Sequence, residues 1–158
     1  MNTTPLTLET VLGYAVRLEE MGARFYRTWA ERADRDDLKK FFRFLAEEET
    51  GHQKIFEGLR DRAGAAEQEP APSEGAYDAH FRDMTSAILF NDEEVAAVHS
   101  LAGALALAKK QEMDAQLFYT DLLMYLSADA LDMVRRIIEE EDSHFQKLSA
   151  LEKKLFGR

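Results

Sequence analysis

The chain has no cysteine, which removes disulfides, thiolate metal sites and iron–sulfur clusters together and leaves no sign of an oxidising compartment. It is also short of positive charge, with a formal net charge of −10 and a pI near 4.9. Nucleic acid and anionic membrane would be repelled by such a surface, so neither is an expected partner, whereas metal cations are favoured. No basic region followed by an apolar run opens the sequence, and its longest apolar stretch, Leu101 to Ala108, is far too short to span a bilayer. These absences predict a soluble, cytoplasmic protein. Alternating runs punctuated by glycine or proline are missing too, which argues against a sheet.

What remains is helical periodicity. The 158 residues suit a single domain, 1–158, large enough to bury a core. A first helix is predicted from a Thr7 cap past Trp29 toward Asp34, and a second, capped by Asp36 or Asp37, to about Arg62. Together they make a hairpin over about 7–62. Gly64 to Gly75 carries two prolines and no periodicity and reads as an exposed linker, followed by a short amphipathic helix from Tyr77 to Phe90. A third helix is expected from about Glu93 to Tyr125, and a fourth, capped by Ser127 or Asp129, to near Phe156. The expectation is an all-α four-helix bundle: hairpins at about 7–62 and 93–156, joined by a long crossover over about 64–92.

The hairpins repeat. Glu19 precedes Tyr26 by seven residues, as Glu112 precedes Tyr119, at an offset of 93; Glu49 and His52 match Glu141 and His144 at an offset of 92. All of these acids fall on apolar stripes. One stripe reads Leu38, Phe42, Leu45, Glu49, His52, Phe56 and Leu59; another reads Val134, Ile137, Glu141, His144, Leu148 and Leu151. No lysine or arginine occupies either stripe, and an ionised carboxylate in a core is costly unless something positive meets it. Metal ions would resolve the conflict, because four carboxylates balance two divalent cations. Repetition selects among neighbouring acids: Met113 replaces Glu20 in the second half, and the stripe through Glu140 runs on to Lys147. Ala15 with Gly22, and Ala108 with Ala115, leave space one turn either side of Glu19 and Glu112. His80 and His99 lie outside the pattern, the methionines read as gap-filling core or boundary residues, and Gly51 is explained either by room near the site or by close helix packing.

Four glutamates and two histidines on four helices are similar to the ligand set of ferritin-like di-iron and di-manganese bundles. Imidazole with carboxylate suits iron or manganese better than magnesium or calcium, and zinc would also bind. The stretches LEEMGARFY and LAEEETGHQKIF, with the two Glu-x6-Tyr and two Glu-x2-His patterns, resemble the rubrerythrin-like branch of the ferritin-like superfamily over nearly the whole chain. That resemblance implies Glu19, Glu49, His52, Glu112, Glu141 and His144 as ligands of two irons, Glu49 and Glu141 as the bridging carboxylates at the catalytic centre, and Tyr26 and Tyr119 as hydrogen-bond donors to ligand carboxylates on facing helices. It implies oxidation of Fe(II) with reduction of hydrogen peroxide or oxygen. Iron binding or storage without catalysis is the alternative, and an oxygenase acting on an organic substrate a third reading. Rubrerythrins proper have a further glutamate where this chain has Ala115, so the site resembles the symmetric one of bacterioferritin. They also have a cysteine-ligated rubredoxin domain, absent here, so electrons are expected from a separate rubredoxin or flavoprotein. The resemblance further implies a homodimer, with exchange of hairpins through the linker as a variant.

Overall fold

Four long helices build the protein in the computed structural model, which describes residues 7–66, 79, 83–84 and 92–157; among these there is no strand. They are α1 (Leu8–Arg32), α2 (Asp36–Ala65), α4 (Leu101–Leu122) and α5 (Ala128–Phe156), with a short helix, α3 (Asp92–Ala97), just ahead of α4. Thr7 caps α1, its hydroxyl accepting the Thr10 N–H at 3.2 Å. Gly157, in the left-handed conformation at φ 73°, ends α5, where a residue without Cβ is unstrained.

Three boundaries differ from the sequence expectation. Arg35, not an aspartate, occupies the cap position of α2; Asp36 and Asp37 lie in the first turn, favoured there by the positive end of the helix, and Arg35 pairs with Asp37 at 2.6 Å. Helix α2 also continues through Gly64 to Ala65, past the expected start of the linker. The expected third helix is interrupted at residues 98–100, because the Ser100 hydroxyl takes the Gly103 N–H at 3.1 Å and starts a new helix there. Its far end tightens into a 3₁₀ turn, Leu123–Tyr125. Most of the expected linker and of the helix from Tyr77 to Phe90 lies outside the described residues, although 79, 83 and 84 are helical and Met84 rests against the core.

Helix α1 packs along α2, and α4 along α5. Their apolar stripes form two lobes. One gathers Leu12, Val16, Phe56, Phe118, Leu122, Val134 and Ile137; the other gathers Phe25, Trp29, Phe42, Leu45, Leu105 and Leu148. Every long helix contributes to both lobes, and between its two contributions lies an ionisable position: Glu19 in α1, Glu49 and His52 in α2, Glu112 in α4, Glu141 and His144 in α5. A polar layer therefore crosses the middle of an apolar bundle.

The order of the lobes along each helix also sets the topology. Helices α1 and α5 run from the first lobe to the second, while α2 and α4 run from the second to the first. Because α2 and α4 point the same way, Ala65 and Leu101 lie at opposite ends of the bundle. No helix among the described residues is long and apolar enough to cross a membrane.

Candidate metal centre

The six side chains of the polar layer are each 6% exposed or less. Helical spacing puts them there: in α2 and in α5 the acid and the imidazole are three residues apart, so both face one side one turn apart. The four helices bring them to a single point. His52 Nδ1 lies 2.7 Å from Glu141 Oε1 and 3.5 Å from Glu19 Oε2. On the other side, His144 Nδ1 lies 3.1 Å from Glu49 Oε1 and 3.5 Å from Glu112 Oε2. The two imidazoles stack with centroids 5.7 Å apart and planes 22° from parallel.

Tyrosines connect the hairpins reciprocally. The Tyr26 hydroxyl on α1 donates to Glu112 Oε1 on α4, and the Tyr119 hydroxyl on α4 donates to Glu19 Oε1 on α1. Each bond holds one carboxylate oxygen outward and turns the other toward the cluster. Those inward atoms are Glu19 Oε2 and Glu112 Oε2, and with Glu49 Oε1, Glu141 Oε1 and both histidine Nδ1 atoms they are buried without a hydrogen-bond partner. The imidazole–carboxylate contacts are close but off line for hydrogen bonds. Buried polar atoms are normally paired, so one orphan from each of six residues, all aimed at one place, fits a cation site.

Two overlapping groups have the reach to hold an ion. Glu19, Glu49, His52 and Glu141 form one, and Glu49, Glu112, Glu141 and His144 the other, with ligand atoms in each within 4.8 Å of one another. Glu49 and Glu141 belong to both. The donor set, mixed carboxylate and imidazole with no sulfur, suits iron, manganese or zinc.

Protonation shows the same demand for positive charge. Burial pulls the histidines down, but the Glu141 and Glu19 carboxylates beside His52, and those of Glu112, Glu141 and Glu49 beside His144, outweigh it and push both up to about 12. Burial, then the charge of Glu141, raises Glu19, and raises Glu49 and Glu112 further. Glu141 goes the other way: burial would raise it, but its close contacts with Glu112, His144 and His52 hold it below the usual carboxylate range. Tyr26 and Tyr119 are raised well above the usual phenol value, first by burial and then by the carboxylates they serve, so they remain protonated donors. Without metal, protons on His52 and His144 offset part of the carboxylate charge of the layer. Binding of a cation must displace them.

Small residues shape the surroundings unevenly. A Cβ on Gly22 would come within 2.9 Å of Glu49 Oε2, so the space it leaves serves the α2 carboxylate rather than the neighbouring Glu19. Gly51 makes no room at all, since it is exposed and a Cβ there meets nothing within 4 Å; neither the site nor close packing explains it. His99 is exposed and away from the cluster, and His80 lies outside the described residues. Of the methionines, Met113, Met124 and Met133 are exposed rather than core-filling.

Two polar residues near the centre escape sequence reasoning. Half-exposed Glu140 meets His52 Nε2 at 2.7 Å, which fixes the ring so that Nδ1 points inward. Its position beside Glu141 in an acidic run masks it. Gln111 is the other, 5% exposed beside Glu112. Here a signal exists, because Ala104, Ala108, Gln111, Ala115, Phe118 and Leu122 follow helical spacing along one buried stripe with a single polar member.

A family model described as Rubrerythrin matches residues 10–152. Among solved structures, the chain is similar to a candidate ferritin-like diiron-carboxylate protein from Thermotoga maritima, at 30% identity and a TM-score of 0.67, covering 99% of this chain and 100% of that one. A comparison with curated proteins finds no match.

Proposed function

The chain belongs to the rubrerythrin family, and from that premise we propose that it binds two iron ions in the polar layer, oxidises Fe(II) there and reduces hydrogen peroxide or oxygen. The observation that supports this most is the pair of overlapping ligand groups sharing Glu49 and Glu141. In this reading Glu19, Glu49, His52 and Glu141 would hold one ion, and Glu49, Glu112, Glu141 and His144 the other. Two Fe(II) ions supply the two electrons that reductive cleavage of one peroxide O–O bond requires.

The protein's own residues do the rest. Tyr26 and Tyr119 hold Glu112 and Glu19 in place, so that each presents its free oxygen inward. Glu140 orients His52. The apolar lobes on both sides keep bulk water from the layer, which strengthens every charge interaction within it. A cavity of about 20 Å³ bordered by the four carboxylates has room for a water-sized molecule, and this supports a small oxidant over an organic substrate. With no cysteine to form a second iron site, electrons for renewed turnover come from a separate reductant, such as a rubredoxin or a flavoprotein.

Anaerobic titration of the apoprotein with Fe(II), followed by optical mixing with peroxide or with oxygen, tests the reading. Saturation at two irons per chain and faster oxidation by peroxide is the expected result. Continued uptake beyond two with oxidation by oxygen would replace it with iron storage, and no stoichiometric binding would overturn it.

A further inference from the structure

The cavity beside the cluster is lined by the four glutamates and both tyrosines, and beyond them by Leu18, Gly22, Gln111 and Ala115; neither histidine takes part. It therefore lies on the α1/α4 side of the carboxylates, opposite the imidazoles. Gln111 is the only uncharged amide in that lining, it is 5% exposed, and neither its Nε2 nor its Oε1 has a hydrogen-bond partner among the protein atoms. Such a group costs stability that an apolar side chain of the same length would not. The rest of its stripe, alanines with Phe118 and Leu122, shows that the position accepts apolar residues. A polar group kept there calls for a small hydrogen-bonding occupant of the cavity, a water or a substrate that replaces it.

Resting on the iron-centre reading above, we propose that Gln111 is a substrate-binding residue that hydrogen-bonds hydrogen peroxide in this cavity and selects it over oxygen. An amide presents one donor group and one acceptor on the same plane. Hydrogen peroxide both donates and accepts hydrogen bonds and engages both ends of the amide. Dioxygen has no proton to donate and is a poor acceptor, so it gains almost nothing from Gln111. The cavity's size, about 20 Å³, matches either molecule, which leaves hydrogen bonding as the basis of choice.

The test compares the iron-loaded wild type with Gln111→Met, which keeps length and removes the amide. Second-order rates of Fe(II) oxidation are measured separately with peroxide and with oxygen, and azide affinity of the oxidised iron-loaded protein is measured by optical titration. Expected are unchanged iron stoichiometry, a peroxide rate and an azide affinity each lowered roughly five- to tenfold, an oxygen rate within about twofold, and a melting temperature of the apo variant equal to or above that of wild type. Equal loss with both oxidants, unchanged azide affinity, or an apo variant melting several degrees lower would each overturn the role, since a packing residue would behave so. Gln111→Asn, which withdraws the amide by one methylene, serves as a second variant with the same expectations for rates and azide. Wild-type protein that binds two irons and reacts with peroxide, beside an unaffected variant, removes the role of Gln111 alone. Wild-type protein that takes up no iron removes the iron-centre reading, and this role with it.

Discussion

In the lobe around Phe42 and Leu105 the fully buried large side chains pack against apolar neighbours, whereas one or two turns away Glu19, Glu49, Glu112 and Glu141 hold four carboxylates at the same depth, each with one oxygen that has no hydrogen-bond partner. The same four helices build both regions. In the lobes burial stabilises the fold by roughly 1.5–3 kcal/mol for each large apolar side chain. In the layer burial works against it, offset by the tyrosine hydroxyls and by protons on His52 and His144. The lobes make the bundle, and the layer makes a place that a cation completes.

The sharpest break of this contrast is Glu141→Ala, since Glu141 belongs to both ligand groups. It should reduce iron uptake from about two ions per chain to one or none, while far-UV circular dichroism stays helical. Unaltered uptake would refute the ligand assignment. Phe42→Ala attacks the lobe instead: Phe42 is fully buried and stacks on Tyr26 at 6.3 Å, so its loss should cost about 3–5 kcal/mol of apoprotein stability in urea denaturation.

A third test uses pH. The histidines are raised to about 12 in the fold, so the native state holds more protons than the unfolded chain above pH 6.5. Their stabilisation is complete below that unfolded value and is lost as pH rises toward about 12. Glu19, Glu49 and Glu112, also raised, act in the same direction above the ordinary carboxylate range; Glu141, lowered, loses its contribution only in acid. The melting temperature of the apoprotein should therefore fall by roughly 5 °C or more between about pH 6 and 9. Saturating metal should flatten or invert that slope, because displacing protons becomes easier as pH rises. An apoprotein that gains stability over this window would contradict the protonation assigned to the layer.

Two glycines sharpen the comparison further. Gly22→Ala should weaken metal affinity about tenfold by displacing the Glu49 carboxylate, read by competition with a chelating dye. Gly51→Ala, next to a proposed ligand yet in open space, should leave iron stoichiometry alone and stabilise the protein by up to about 1 kcal/mol.

Much of this was legible beforehand because helical period and repetition are local properties. The stripes through Glu49 and Glu141 mark buried acids without any knowledge of their neighbours; the offset of 93, which sets Met113 opposite Glu20, separates Glu19 from Glu20, and the stripe that runs on to Lys147 separates Glu140 from Glu141. Boundaries were less legible. After α3 stops at Ala97, Ser100 begins the next helix through a single hydroxyl bond from the Gly103 N–H, a local hydrogen-bonding choice that periodicity does not register. Half-exposed Glu140 acts on His52 from across the bundle, and nothing in its own helix marks that reach.

The chain by itself determines four amphipathic helices, a doubled Glu-x6-Tyr and Glu-x2-His pattern, and the burial of six ionisable groups on apolar stripes. Only the tertiary structure decides that Tyr26 serves Glu112 and Tyr119 serves Glu19, that Glu49 and Glu141 stand in both ligand groups, and that Gln111 borders the cavity without a partner. The physical reason is reach. Periodicity fixes the direction in which a side chain leaves its own helix, but which atoms meet at 3 Å depends on the spacing, rotation and relative sense of helices about a hundred residues apart in sequence.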